Sequence, residues 1–307
     1  MFDPKEISSL VYLLDDTDED VISQVEQRLI SFGSEVIPTL EDLTHREDDA
    51  VRERRLKHII GVLKKNGLIE ELQLWVMSEE QDLLDGMLIL NRLEYPDVKK
   101  NDVERVLDKI KLDAWLELNY DVTSYEQIKI LNYIIFDVHQ FKGNTSEYHH
   151  IDNSVLSRVL ALKKGNPVSL SIIYSLIAQR LNIPVYGVNL PQHFVLGYKS
   201  ADGIELLKRF NDPSSIRKEH KGDILFYINP FSEGLVLSYE SLKSFLEQLK
   251  IDPRPEYFSI CGNAEILKRV LRNMMFSYEK SDEEDKKSFA SEMLEILGSH
   301  NDKNQID

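Results

Sequence analysis

A chain of 307 residues, 42% hydrophobic and 29% charged, is long enough for two or three domains and has the balance of a soluble globular protein. Its formal net charge of −16 argues against nonspecific binding to nucleic acid or to an anionic membrane, since either needs a basic face. A single cysteine, Cys261, excludes an intrachain disulfide framework and a cysteine-rich zinc site. The N-terminal run MFDPKEISSL lacks the basic-then-apolar pattern of a secretory signal. The longest apolar stretch, about 168–178, is too short to span a bilayer and is broken by serines. A cytoplasmic protein is expected.

The chain reads as helical from Pro4 to about Asn91. Leu10, Val11, Leu13 and Leu14 close one apolar face, and Val21, Ile22, Val25, Leu29 and Ile30 make another at helical spacing. Asp18 or Glu19 stands where an N-cap acid belongs, Gly33 where the helix stops, and Ser34 opens a short helix. The run DEDVISQVEQRLISFGSEVIPTLEDL resembles a HEAT-type helical pair, which needs further helices to cover its face. Residues 51–65, 69–77 and 81–93 supply them, and EYPDVKKND reads as a connector. Two more amphipathic helices are expected at 102–118 and 125–139. A loop FKGNTSEYHHID follows, then a helix capped by Asn153 or Ser154 and running to about Lys164. Residues 224–228 and 235–237 read as strands around an Asn-Pro-Phe turn, 239–249 as a helix, and 263–278 with 283–297 as a tetratricopeptide-like hairpin. The polar tail from Ser299 is expected to fray.

The densest information lies in GNPVSLSIIYSLIAQRLNIPVYGVNLPQHFVLGY, residues 165–198. It reads as a buried helix, a strand, a tight turn and a second strand beginning at a histidine, which is the layout of a papain-like or transglutaminase-like cysteine site. Acyl transfer at such a site needs a thiol at the first turn of the helix, where the dipole and free N–H groups lower its pKa. It also needs a histidine to handle the proton and an Asp or Asn to orient the ring. His193 and Asn229 fill the second and third places in the expected order. Pro167 stands in the first. It carries no nucleophile and removes a backbone N–H. Asn166 as N-cap with Pro167 at the first helical position is also a well-made helix start. Ser169 is rotated by about 200° from Pro167 on a helix, and Ser171, Ser175 and Gln179 form a stripe suited to close packing.

The run GNTSEYHHIDNSVLSRVLALKKGNPVSLSIIYSLIAQRLNIPVYGVNLPQHFVLGY, with the later INPFSEG, resembles the SirB family of transglutaminase-like bacterial proteins. The resemblance covers about residues 93–297 and is densest over 143–234. It implies a transglutaminase-like core followed by tetratricopeptide-like helices. The family pattern at the helix start, Gly-x-Pro-x-Ser-Leu, includes the proline, so Pro167 departs only from the wider catalytic superfamily. Against the family's Asp-Pro-Phe-Asn-Gly pattern, Asn229 replaces an acid, which weakens any role needing charge beside His193. A fold does not fix a reaction.

Other candidates carry less. His149 and His150 are adjacent and would point to opposite sides of an extended loop. Convergence with His139 and His193 on a metal is the minority reading, and no metal or cofactor is expected. Lys208, Arg209, Arg217, Lys218, His220 and Lys221 form a basic patch suited to an acidic partner or a phosphate-bearing ligand; a solvated hairpin is the default. Cys261 precedes a helix start, where a thiol can be reactive, but a structural cysteine is the simpler reading.

The sequence therefore predicts an α+β protein, mostly helical, with a small antiparallel sheet packed on a buried helix as a papain-like or transglutaminase-like core. A HEAT-like region is expected over 1–95, the core over 96–250 and a tetratricopeptide-like hairpin and tail over 251–307. The expected function is noncatalytic: a scaffold or regulator binding a protein or peptide, with His193, Asn166, His149, Lys208, Arg209, Arg217 and Lys218 as candidate binding residues. The alternative is a hydrolase or acyltransferase using His193 with a nonstandard nucleophile or a metal.

Overall fold

The structure, a computed structural model, describes residues 3–119, 121–199 and 224–299. The chain forms two compact units, the first ending at Leu74 and the second beginning at Trp75.

The first unit is helical. α1 (Pro4–Tyr12) is capped by Asp3, whose carboxylate accepts from the Lys5 amide, with Pro4 in the first turn. α2 (Glu19–Ser31) is capped by Asp18, the first of the two residues the sequence offered. It stops before Gly33, whose φ of +73° is open to glycine at little cost. A 3₁₀ turn (Ser34–Val36) leads into α3 (Ile37–Arg46). α4 (Ala50–Met77) is one continuous helix where two were expected. Asn66 and Gly67 read as a break, yet each costs a helix interior only about 0.5–1 kcal/mol, which the good helix formers on either side outweigh. Ile7, Val11, Leu14, Val25, Leu29, Val36, Leu40, Leu56, Ile59 and Leu63 make one buried core, as their helical spacing requires.

The second unit holds α5 (Leu83–Asn91), α6 (Lys100–Glu117) and α7 (Ser124–Asn132). A π-helical turn (Tyr133–Val138) extends α7. Two short parallel strands, β1 (Lys142–Gly143) and β2 (Lys164–Gly165), flank α8 (Leu156–Leu162). α8 is shorter than expected, and neither Asn153 nor Ser154 is its N-cap. Asn153 instead ends a 3₁₀ turn (Ile151–Asn153), with its amide donating to the Glu147 and Tyr148 carbonyls.

α9 (Pro167–Arg180) is buried from Pro167 through Ala178, so it is apolar all round and forms the centre of this unit. Beside it lies an antiparallel sheet in the order β3 (Val185–Val188), β4 (Val195–Lys199), β5 (Ile224–Asn229), β6 (Leu235–Leu237). A mostly helical α+β fold with a small antiparallel sheet on a buried helix is thus what the chain adopts. α10 (Tyr239–Gln248) follows, then a hairpin of α11 (Asn263–Lys280) and α12 (Glu284–Ser299). α11 packs on α5, α9 and α12. No helix among the described residues is long and apolar enough to cross a membrane.

Candidate functional site

The start of α9 is closed by its own residues. Asn166 Oδ1 accepts from the Ser169 amide at 2.9 Å, and Ser169 Oγ accepts from the Asn166 amide at 3.0 Å. The Asn166 amide group also donates to Ser154 Oγ at 3.0 Å. All three residues are buried. Gly165 is required next to this box, because a Cβ there would lie 2.5 Å from Ser169 Oγ and 2.9 Å from Val159 Cγ1. Pro167 is buried at the first helical position.

The hydroxyls of α9 are committed elsewhere. Ser171 Oγ donates to the Pro167 carbonyl at 2.7 Å and Ser175 Oγ to the Ile172 carbonyl at 3.1 Å. Both are buried.

His193 lies in the β3–β4 turn, two residues before β4, with its ring 5.7 Å from that of Phe245. Burial pushes its pKa below the ordinary histidine value, and the Arg269 guanidinium adds to that, while a polar contact with Asn229 acts in the opposite direction. Burial and Arg269 thus both favour the neutral imidazole. Asn229 caps the turn after β5. Its Oδ1 accepts from the Phe231 amide at 3.2 Å, and its Nδ2 donates to Ser232 Oγ at 3.1 Å. That turn is held from below: Tyr174, fully buried, donates to Asn132 Oδ1 at 2.9 Å, and Asn132 Nδ2 donates to the Gly234 carbonyl at 2.9 Å. Asn229 also lies close enough to His193 to act on its ring.

A cavity of about 620 Å³ lies beside Asn166. Ser154, Asn166 and Gln192 line it, with Tyr148, His149 and His150 of the loop. Arg269, Arg272, Asn273, Phe276 and Ser277 line it from α11. The cavity thus meets the chain next to Pro167 and next to His193. His149 packs on Phe276 with ring centroids 4.6 Å apart. Its pKa is lowered by burial and then by Lys280. His139 is elsewhere, with Nε2 2.8 Å from Asp113 Oδ2. Among the described residues no group of three or more His, Cys, Asp and Glu side chains is placed to hold a metal ion.

Cys261 is half-buried beside β3, its amide donating to the Gly187 carbonyl at 2.9 Å. Burial pushes its thiol up to about 12, the reverse of what a nucleophile needs. Lys208, Arg209, Arg217, Lys218, His220 and Lys221 lie outside the described residues. Sequence reasoning missed Arg269 and Arg272. The available signal was a pair of arginines at i, i+3 whose nearest acid on the helix, Glu265, has a lysine beside it; in the structure Lys268 bonds Glu265 at 2.7 Å.

A buried helix opening at Asn166-Pro167, a facing antiparallel sheet and a histidine at its β3–β4 turn define a transglutaminase-like core. The family model for the transglutaminase-like superfamily matches residues 101–272, more than half of the chain, and the chain belongs to that superfamily as a SirB-like member. It is 28% identical over 222 residues to a UPF0162 protein of Xylella fastidiosa strain 9a5c, covering 70% of this chain and 73% of that one. It is 25% identical over 199 residues to protein SirB1 of Salmonella typhimurium, covering 64% and 66%. It is also similar to human F-box only protein 21, at 27% over 148 residues, or 47% of this chain and 20% of that protein. No solved structure matches the chain.

Proposed function

We propose that this transglutaminase-like core is a binding module and not an acyl-transfer enzyme, holding a protein or peptide segment in the cleft beside Asn166. The observation that carries the reading is Pro167, buried at the first position of α9, where the superfamily chemistry needs a thiol. Three further features support it. The α9 serines are buried and donate to backbone carbonyls or serve the cap. The one cysteine has its thiol shifted away from thiolate formation. The cavity of about 620 Å³ is of the size that holds a small ligand or part of a chain. The reading assigns the protein to the cytoplasm, on the strength of its single cysteine and acidic balance.

The test is a phage-displayed peptide selection on the full chain, counter-screened on Phe276→Arg, a change at a half-exposed ring lining the cleft. Peptides that bind the parent chain and not the variant are expected. Enrichment of none, or of peptides that ignore Phe276→Arg, would remove the cleft from the account.

The alternative, a hydrolase or acyltransferase using His193 with a nonstandard nucleophile, has the His193–Asn229 contact in its favour. It requires His193→Ala to abolish turnover of an acyl or amide substrate.

A further inference from the structure

Arg269 and Arg272 stand one turn apart on α11 and both line the cleft. Residues three apart on a helix are neighbours on one face, and like charges there repel. Neither guanidinium pairs with a carboxylate among the described residues. The acid one turn away, Glu265, is bonded to Lys268. Arg269 is half-buried, so part of its hydration is already lost. Burial is the largest influence disfavouring its charge; Tyr148 acts in the opposite direction, and Arg272 adds to the disfavour.

No Asp or Glu is among the described residues that line this cavity. The chain has 53 acids against 37 Lys and Arg, so an acid-free wall with two arginines is a local reversal of its charge. The other polar groups on that wall complement the pair. Asn273 lines the cavity with no side-chain hydrogen bond among the described residues, and the exposed Gln192 lines it too. The end of α9 does not supply the charge, because the Ser169 amide is already taken by Asn166.

We propose that Arg269 and Arg272 form an oxyanion subsite in the cleft, receiving a carboxylate or phosphate group carried by the bound segment. Guanidinium groups present forked donors matched to either oxyanion, and an anion between them relieves their mutual repulsion. The cavity is much larger than the oxyanion alone, so the rest of the segment lies against Phe276, His149 and Tyr148. This subsite rests on the reading of the cleft as a binding site.

The experiment is thermal unfolding of the full chain titrated with sodium phosphate or sodium glutarate, against sodium chloride at matched ionic strength. A saturating rise in midpoint of roughly 2–4 °C is expected with one or both anions, and it is lost in Arg269→Gln/Arg272→Gln. A response to phosphate alone identifies a phosphoryl group, and one to glutarate alone a carboxylate. If the double variant fails to fold, Arg272→Gln, at an exposed position, must weaken the response at least tenfold in anion concentration. No rise, or the same rise in parent and variant (a general salt effect only), overturns the subsite. The selected peptides separate the two ideas. Peptides that bind Arg269→Gln/Arg272→Gln as well as the parent, but not Phe276→Arg, would sink the oxyanion subsite and leave the cleft in place.

Discussion

Asn166 and Ser169 cap each other at the mouth of α9, each side chain bonded to the other's backbone amide. The consequence is chemical as well as structural. At the first turn of α9 these amides and the Ser169 hydroxyl are spent on holding the helix start, and Pro167 is buried at the first helical position. Asn166, with its partner Ser154, thereby forms part of the wall of the cleft.

Asn166→Ala should cost about 1–2 kcal/mol, the range for losing a good N-cap, with the loss of the Ser154 bond included. Ser154→Ala should cost less, about 1 kcal/mol, because it removes one hydrogen bond and leaves the cap intact. Urea unfolding of the two variants compares them directly. Equal costs would mean that the cap contributes nothing beyond the Ser154 contact.

Gly165→Ala should destabilise by about 1–3 kcal/mol through overpacking, since the new Cβ meets Ser169 Oγ at 2.5 Å and Val159 Cγ1 at 2.9 Å. Adding Ser169→Ala removes the first clash and keeps the second. The double variant should therefore be more stable than the sum of the single changes predicts. Strict additivity in urea midpoints would refute this packing account.

Much of this wall was legible in the sequence. Asn-Pro before a continuous apolar run announces a capped, buried helix, because the signals are local. β3, β4 and the Asn-Pro-Phe turn were readable for the same reason. The helix after His150 starts later than expected because Asn153 and Ser154 look like caps but are engaged otherwise: the Asn153 amide donates back to the Glu147 and Tyr148 carbonyls of its own loop, and Ser154 is taken by Asn166. The Arg269–Arg272 pair stayed hidden since its meaning depends on what faces it across space. On the helix alone it reads as an ordinary polar face.

Cys261 should resist alkylation in the native chain. With burial pushing its thiol up to about 12, little thiolate exists at pH 8. Iodoacetamide at that pH should label it slowly in buffer and rapidly in 6 M urea, a concentration of about the size that unfolds such domains. Mass spectrometry reads both. Equal labelling rates would show an open, reactive thiol.

The chain should lose stability on mild acidification through His193. Its folded pKa is depressed by burial and Arg269, so the unfolded chain takes up the proton first, near pH 6.5. Stability from this group is full above that pH and falls as pH drops towards the folded pKa. His149 contributes in the same direction. His193→Gln should flatten the slope of stability against pH below 6.5. An unchanged slope would show that His193 is as easily protonated folded as unfolded.

The most direct measurement of the central claim is acyl transfer itself. The full chain is incubated with a glutamine-donor protein and a fluorescent primary amine, and with amide and ester substrates, while intact-protein mass spectrometry follows any acyl-enzyme. The account predicts no turnover above the buffer rate, no covalent adduct, and no difference between the parent and His193→Ala. Turnover that disappears in His193→Ala would contradict it and make the core an enzyme after all.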